Sequence, residues 1–600
     1  MITRTPKGPE YRSRVVYCGR KFCMLKQTYI RKMVLAAVLS TGLAVVVTAQ
    51  PAIGTGGVLN AASNALPGLP NSAIAQGSIF LVYGTGLGPP PPAGALVTFA
   101  PFPLPKVVPP SSGTSINVTV GGTSVDALMI YTSPTQIAAI LPSRTPVGAG
   151  QIKVSYNGAS SATAPIQVVA NSVGIFTLNQ GGSGPAVVQN YISSTEFVVN
   201  TLTVPAKPGQ TLVLYGTGLG PVTFDESLPA QAGNVGANDF ELDIAGVPAA
   251  VSYHGRSACC AGLDQINFQV PPGVDGCYVP VSVRDGGVIS NFTTISVSSD
   301  GQVCSDPTGF SASDLQKIAQ GGKLKAGVIT LSHTTTLTSP TTTGAGSSPM
   351  AVTGSRDAAK EEDSAVALFF GYDAGISKSQ GLNRTPSPGS CMVFTSKGNS
   401  PPTDPFQATP LDAGVVVNLK SGPTNQTIQL APLLQAPGIY IPNSALVPGY
   451  VGAGRYTAIN GFGGRDVQGF AADATFGDPV LWSNQSGITN VIRSQGLHVT
   501  WIGGSPGDLV EITGTGPAFT PNVQPLSEAS FTCLAHVEDG QFTVPPAVLE
   551  SLPPNTSLLP GIATGKLGVA GFTVKKFGGG NLDLGLFIRI MTNASQVIYQ

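Results

Sequence analysis

The sequence predicts an all-β protein built from consecutive β-sandwiches. Glycine and proline are abundant, with 75 and 51 residues among 600, and only 10% of the residues are charged. Glycine and proline break helices, and helix surfaces need charge, so this composition favours short strands joined by turns. A hydrophobic content of 42% supplies enough apolar surface for packed cores and argues against disorder. A motif that occurs twice also indicates a duplicated unit.

The N-terminal segment predicts export. Residues 1–49 carry nine of the 31 basic residues and one acidic residue, and the uncharged run 33–49 ends in the small-residue pattern that signal peptidase accepts. We therefore interpret 1–49 as a signal peptide with an upstream extension, and we expect an extracellular or cell-surface location. The alternative is an uncleaved anchor, although the run is short for a span. The start codon stays open among three methionines, Met1, Met24 and Met33.

The remaining chain is acidic overall and has no basic run, which argues against nucleic acid as a partner. We expect no membrane span in the mature chain, because no later stretch is long and apolar enough.

Six cysteines follow the leader, an even number that predicts disulfides in an exported chain. Four lie close together in sequence, so we expect two bridges among them and a third between Cys391 and Cys533. Both of these lie in strand-like surroundings, which suits a bridge across two sheets. No CxxC spacing is present, so no zinc site is expected. The disulfide candidates are Cys259, Cys260, Cys277, Cys304, Cys391 and Cys533.

The duplicated motif is the heptapeptide Tyr-Gly-Thr-Gly-Leu-Gly-Pro, which occupies residues 83–89 and returns at 215–221. The dipeptide Gln-Ile at 136–137 returns at 265–266. Within the units, apolar and polar residues alternate, as in the segment from Ile116 to Val120, which is typical of strands with one buried face. Six or seven such strands per unit predict two-sheet sandwiches of immunoglobulin-like type, with a barrel as the alternative.

An ordered series of motifs resembles a known family. The series comprises 58–63, 79–89, 133–137, 174–176, 205–206, 214–221, 263–268 and 270–271. It resembles the Solibacter-type uncharacterised C-terminal domain of secreted acidobacterial proteins, whose halves are similar to TIG/IPT immunoglobulin-like modules. The resemblance covers residues 57–299. It implies tandem TIG/IPT-type sandwiches but no activity, because the family has no established catalytic residues. In this chain the domain lies near the N-terminus, with 300 residues after it.

The glycine-rich repeat does not predict a phosphate-binding loop. Such a loop needs a helix N-terminus after the strand, whereas both copies end in proline. We expect a glycine-built bend in an edge strand.

The second half begins with a connecting segment. Ser311 and Asp314 predict the capped start of a short helix, and residues 333–364 are rich in Thr, Ser and Gly, as in a flexible linker or a long loop. Short apolar runs return from residue 365 and predict a further β-sandwich-like region. The predicted organisation is a leader at 1–49, module 1 at 56–170, module 2 at 171–300, a helix and linker at 301–364 and a C-terminal β-rich domain at 365–600.

Candidate catalytic residues are weakly supported. Ser505 lies in a Gly-Gly-Ser-Pro-Gly segment, but a strand rather than a helix follows it, so a hairpin turn is expected. A glycosidase would need a pair of acidic side chains, and the nearby residues Asp466, Asp473 and Asp478 are the candidates, but such pairs also occur by chance in β proteins. The histidines lack HExxH spacing; they are His254, His333, His498 and His536. We predict no enzyme, no catalytic residue, no cofactor and no metal.

The most plausible function on these grounds is a secreted or cell-surface, non-enzymatic structural or adhesion protein. An extracellular carbohydrate-binding protein is the first alternative, and a secreted hydrolase is the second. Trp482 and Trp501 are candidates for a sugar-stacking platform, although strand aromatics more often pack in a core. Polysaccharide or cell-envelope components are the expected partners. The ligand, the oligomeric state, the mode of retention at the cell and any protein partners stay open.

Overall fold

The computed structural model describes residues 50–93, 95–109, 113–228, 231–236, 239–304, 306, 309–337, 360–372, 385–397, 408–434, 436, 438–518, 527–555 and 564–600. The predicted signal peptide and the middle of the predicted linker lie outside these residues. The described residues all belong to one compact unit.

Module 1 is a two-sheet sandwich, as predicted. One sheet has the order β1-β3-β8-β7-β4, and the other has the order β2-β11-β9-β5-β6 with β10 beside β9. Alternation fills the space between them, because Ile116, Val118 and Val120 all point into the core. Its strands are β1 (Ala52–Asn60), β2 (Ile74–Ala75), β3 (Ile79–Thr85), β4 (Thr98–Phe99), β5 (Ser115–Val120), β6 (Thr123–Asp126), β7 (Leu128–Thr132), β8 (Gln136–Ile140), β9 (Gly148–Tyr156), β10 (Ala159–Ser160) and β11 (Ala164–Val169).

Module 2 repeats this plan. One sheet runs β14-β13-β15-β20-β19-β16 with β12 beside β15, and the other runs β18-β17-β21-β22 with β23 beside β21. Its strands are β12 (Gly174–Ile175), β13 (Val188–Ser193), β14 (Glu196–Val199), β15 (Thr211–Thr217), β16 (Gly233–Asn234), β17 (Glu241–Ile244), β18 (Val247–Pro248), β19 (Val251–Arg256), β20 (Asp264–Gln269), β21 (Gly276–Asp285), β22 (Val288–Ile289) and β23 (Thr293–Val297).

The repeated heptapeptide begins inside β3 and β15, and it bends where Gly86 and Gly218 have φ of 62° and 109°. The expected bend is therefore present, but the expected edge position is wrong. Each of the two strands has hydrogen-bonded neighbours on both sides.

A short helix, α1 (Ala312–Ala319), follows module 2. The hydroxyl of Ser311 accepts from the Asp314 N–H at 3.2 Å, and the Asp314 carboxylate accepts from the Ser311 N–H at 2.8 Å. This capping box confirms the predicted helix start. Leu315 and Ile318 are the buried residues that attach the helix to the core.

The C-terminal region is also β-rich. A large sheet has the order β26-β37-β36-β39-β40-β24-β25-β30-β29-β28-β31-β32, with β27 beside β25 and β34 beside β40, and a small sheet has the order β33-β35-β38. Its first strands are β24 (Leu324–Leu337), β25 (Lys360–Tyr372), β26 (Ser390–Lys397), β27 (Thr409–Pro410), β28 (Val417–Ser421), β29 (Thr427–Pro432), β30 (Ile439–Pro442), β31 (Gly454–Ile459) and β32 (Ala471–Phe476). The others are β33 (Val480–Trp482), β34 (Asn490–Val491), β35 (Leu497–Gly503), β36 (Leu509–Ala518), β37 (Ser527–His536), β38 (Gln541–Val544), β39 (Gly565–Phe577) and β40 (Leu584–Tyr599). A second short helix is α2 (Pro546–Glu550).

The linker prediction is wrong at both ends of 333–364. Residues 333–337 complete β24 and residues 360–364 begin β25, and these strands pair with each other from Leu324↔Tyr372 to Thr336↔Lys360. Threonine is β-branched and suits a strand, which explains why a Thr-rich composition was a poor guide to flexibility here.

The modules share a core with the C-terminal region. Leu66 of module 1 and Ile289 and Phe292 of module 2 belong to the same buried cluster as Trp482 and Trp501. Because this packing is continuous, the sandwiches are joined through side chains as well as through the backbone. No helix among the described residues has the length and apolarity that a membrane span needs.

All six cysteines that follow the leader form disulfides. The bridges are Cys259–Cys260, Cys277–Cys304 and Cys391–Cys533. Two bridges among the first four cysteines and the third pairing confirm the prediction. The expectation of a bridge across two sheets is wrong, because Cys391 on β26 and Cys533 on β37 are directly opposite in one sheet.

Candidate functional site

A cleft of about 810 Å³ lies between modules 1 and 2. Its walls are the outer faces of two sheets, one from each module, and its rim comes from the loops between them. The lining residues are Ala61, Ala62, Asn64, Ile79, Leu81, Tyr83, Phe99, Ile130, Tyr131, Gln136, Ala138, Phe176, Thr177, Leu178, Gln180, Val187, Gln189, Tyr215, Cys259 and Leu263.

The module 1 wall begins on β3. Phe80 and Val82 point into the sandwich core, so the period of two turns Leu81 and Tyr83 toward the cleft. Tyr83 is directly opposite Gln136 on β8, and the Gln136 amide donates to the Tyr83 hydroxyl at 3.3 Å. A half-exposed ring and an amide thus form one pair on this wall.

A second aromatic pair extends the module 1 wall to its edge strand. The register of β7 shifts between Met129 and Tyr131, so Ile130 and Tyr131, although consecutive, both line the cleft. Phe99 of β4 is opposite Tyr131, with ring centroids 5.7 Å apart in an edge-to-face arrangement. Phe99 is 70% exposed and marks the open end of the wall.

The module 2 wall repeats the pairing of tyrosine and glutamine. Leu212 and Leu214 of β15 are in the core, and Tyr215 faces outward. The Tyr215 hydroxyl donates to Gln189 Oε1 at 3.0 Å. Tyr215 is also opposite Gln265, as Tyr83 is opposite Gln136. The duplicated sequence therefore places equivalent tyrosines on both walls.

The described lining is uncharged, since none of its residues is Asp, Glu, Lys, Arg or His. Its cysteine is bound in a disulfide. Burial, with a smaller contribution from neighbouring Tyr83, raises the pKa of Tyr131 to about 12. Burial also raises the pKa of Tyr83 and of Tyr215. All three phenols therefore stay protonated near neutral pH and can donate hydrogen bonds.

A buried ion pair fixes the joint below the cleft. Arg256 and Asp264, which are 2% and 0% exposed, pair with each other. Arg256 Nη2 donates to the carbonyl of Gly77 in module 1 at 2.7 Å and to that of Gly220 in module 2 at 2.9 Å. Asp264 Oδ2 accepts from the Leu219 N–H at 2.8 Å. One guanidinium thus links the two modules, and its low exposure makes the link resistant to screening.

The candidate sugar platform of the C-terminal region is not exposed. Trp482 and Trp501 are opposite each other on β33 and β35 and are 5% and 3% exposed. Their indole N–H groups donate to Asn484 Oδ1 and to the Val537 carbonyl. Their positions correspond to packing in a core.

Three of the candidate catalytic residues each have a local hydrogen-bond partner. Ser505 lies in the turn between β35 and β36, where its N–H donates to Asp508 Oδ2 at 3.1 Å, as expected for a hairpin turn. His498 is exposed beside Thr543. The hydroxyl of Thr457, with help from Arg455, lowers the pKa of Asp473, so this carboxyl is ionised and a poor proton donor.

The other polar candidates lie on several different elements. His254, His333 and His536 lie on β19, β24 and β37, and Asp466 and Asp478 lie between strands. Within the described ranges, no group of three or more His, Cys, Asp or Glu side chains could hold a metal ion.

The sequence reasoning missed the cleft residues. Tyr83, Tyr215 and Gln136 belonged to the repeat, but the repeat was interpreted as a backbone bend and a mark of duplication. The available signal was an outward-facing tyrosine at the same strand position in both copies, which a purely structural repeat does not require.

The comparisons leave the family open. No protein-family model matches the chain, and no curated protein matches it. Among solved structures, domains 5–6 of the S-layer protein SbsC share 13% identity over 41% of this chain and 98% of that chain, with a TM-score of 0.16. SGBP-B of a xyloglucan utilization locus in Bacteroides uniformis shares 12% identity over 81% and 99%, with a TM-score of 0.17. A titin Ig tandem shares 8% over 38% and 90%, with a TM-score of 0.10. TM-scores this low carry no argument about function.

Proposed function

We propose that the chain is an extracellular, non-enzymatic adhesion protein of the cell surface that binds neutral glycan chains in the cleft between modules 1 and 2. The observation that carries this proposal is the uncharged cleft lined by aromatic rings and amide side chains. The Solibacter-type family membership and the signal peptide remain part of the proposal.

Export is supported by the cysteines. Three disulfides include every cysteine after the leader, and structural disulfides persist in oxidising compartments such as the cell surface.

The lining matches the chemistry of a sugar. A pyranose ring has apolar C–H faces and a hydroxyl edge, so it needs flat apolar surfaces together with groups that both donate and accept. Tyr83, Tyr131 and Tyr215 offer rings with hydroxyl groups, and Gln136 and Gln189 offer amides. A site of this kind, concave and mostly apolar with a few polar groups, is typical for small ligands.

The same lining disfavours charged ligands. A nucleic acid or an anionic glycan needs lysine or arginine to offset its charge, and a cation needs carboxylates. The cleft lining has neither.

Calorimetric titration of the secreted chain with neutral and anionic oligosaccharides tests this proposal. We expect saturable binding of a neutral glycan, weak or no binding of an anionic one, and loss of binding in a Tyr83→Ala, Tyr131→Ala double variant. Phe462→Ala is the matched control, because Phe462 is fully exposed and lies in the C-terminal region, outside the cleft.

Two results would contradict the proposal. One is full affinity in the double variant, which would place the site elsewhere. The other is release of shorter sugars during incubation with the bound glycan, measured by chromatography, which would favour a hydrolase.

A further inference from the structure

We infer that the binding surface continues from the cleft along the hairpin β13–β14, and that its ligand is a linear neutral polysaccharide bound along its length rather than at an end. This inference rests on the proposed function and specifies the form of the ligand.

The continuity follows from the strand period. Val187 and Gln189 line the cleft, and Tyr191 is the next residue of β13 that faces the same side. Two residues of an antiparallel strand span about 6.8 Å, a distance on the scale of one sugar ring. Tyr191 is therefore placed to contact the next unit of a chain that leaves the cleft.

The hairpin presents an aromatic pair at that position. Tyr191 is opposite Phe197 of β14, and their ring centroids are 5.5 Å apart in an edge-to-face arrangement. The two side chains are 39% and 42% exposed. More than a third of each side chain is thus left exposed by the described residues, although apolar rings of this size usually pack inside.

The inner face of the hairpin is anchored, so the exposed pair is held in place. The Asn190 amide donates to the Val204 carbonyl at 3.0 Å. Asn200, which follows β14, donates to Asn190 Oδ1 at 3.0 Å and to the Ser296 carbonyl at 2.9 Å. A preformed surface loses less entropy on binding than a mobile one.

The proposed binding surface has an exposed aromatic pair at each of its two ends. At one end Phe99, on the edge strand β4 of the module 1 sheet, pairs with Tyr131 of β7. At the other end Phe197, on the edge strand β14 of the module 2 sheet, pairs with Tyr191 of β13. The lining between these pairs is neutral, because Val187, Gln189 and Tyr215 are its module 2 residues nearest the hairpin. A surface open at both edges suits a chain that passes across it.

The test uses linear oligosaccharides of increasing length, from the trisaccharide upward, prepared from a neutral polysaccharide that the secreted chain binds. We expect affinity to rise with length and then level off. In a Tyr191→Thr, Phe197→Thr variant, affinity for the longest chains should fall about tenfold, while affinity for the shortest ligand stays unchanged. Threonine keeps the strand preference of the hairpin, and Phe462→Thr serves as the matched control.

Chemical blocking of both ends of the oligosaccharide distinguishes binding along its length from binding at an end. Unchanged affinity of a blocked long chain supports binding along the length, and its loss overturns the inference. If short ligands bind but affinity does not rise with ligand length, or if the double variant binds long chains as tightly as the unmodified protein, the inference is overturned while the proposed function stands. Failure of the unmodified protein to bind any neutral glycan overturns the proposed function itself.

Discussion

The buried pair of Arg256 and Asp264 gives a sharp test of how modules 1 and 2 are joined. Arg256→Met keeps most of the side-chain volume but removes the charge and the donors to the carbonyls of Gly77 and Gly220. Asp264, with 0% exposure, would keep only backbone N–H partners such as Leu219. Breaking a buried ion pair on one side costs about 3–5 kcal/mol, and we expect the free energy of local unfolding to fall by that amount.

The assay must report on module 2. Both tryptophans lie in the core that the modules share with the C-terminal region, so their fluorescence would not separate loss of this joint from unfolding elsewhere. Native-state hydrogen exchange resolved to peptides that cover β15 and β20 measures the local free energy directly. The same variant should also bind glycan more weakly, because the joint sets the angle between the cleft walls.

A double-mutant cycle decides whether the pair acts as a unit. Asp264→Leu alone should cost as much as Arg256→Met alone, since it leaves a buried guanidinium. The double variant removes both charges, so it should cost clearly less than the sum of the two single losses. Additive losses, or a single variant with unchanged exchange, would refute the reasoning.

Three further predictions concern other parts of the molecule. Glycan affinity should be flat from about pH 5 to about pH 9, because tyrosines are the only titrating groups in the described cleft lining and they ionise only near pH 10 or above; a steep change in affinity near neutral pH would contradict this expectation. Since the pKa of Tyr131 in the folded protein is raised to about 12, its contribution to stability is present below about pH 10 and is lost as the pH rises through about 12. Trp501→Ala should destabilise the C-terminal region by about 3–5 kcal/mol in urea unfolding followed by circular dichroism, yet leave glycan affinity unchanged, whereas lost binding in a folded variant would revive the tryptophan platform. Replacing both Cys391 and Cys533 by alanine should lower stability by about 5 kcal/mol in the chain-entropy model, because the bridge spans 142 residues, and an unchanged unfolding midpoint would count against this estimate.

The local parts of the fold could be predicted because their causes are local. The alternation of Ile116, Val118 and Val120 decides which side of a strand is buried, and the capping pair Ser311 and Asp314 decides where a helix begins.

The shared core could not be predicted in the same way. Phe292 packs in one cluster with Trp501, more than 200 residues away in sequence, and no periodic pattern encodes a partner at that distance. The pairing of β24 with β25 was missed for a related reason, since composition alone suggested a linker.

The candidate site depended on relations between elements. The sequence supplied the repeated tyrosines, but whether Tyr83 and Tyr215 face a common space depends on how two sandwiches are docked. Trp482 and Trp501 were the more conspicuous aromatics, and cross-strand packing buries both of them.

The two copies of the repeated unit share the tyrosines that line the cleft but differ in the side chain that joins the modules. The shared tyrosines, Tyr83 and Tyr215, line the two walls. In module 1 the Leu87 N–H donates to a backbone carbonyl, that of Pro134, at 3.0 Å. The equivalent N–H in module 2, that of Leu219, donates instead to the carboxylate of Asp264, which also holds Arg256. Because Arg256 reaches the carbonyl of Gly77 in the other module, the acidic side chain that only the second copy carries converts a repeated bend into the joint that keeps both walls facing one cleft.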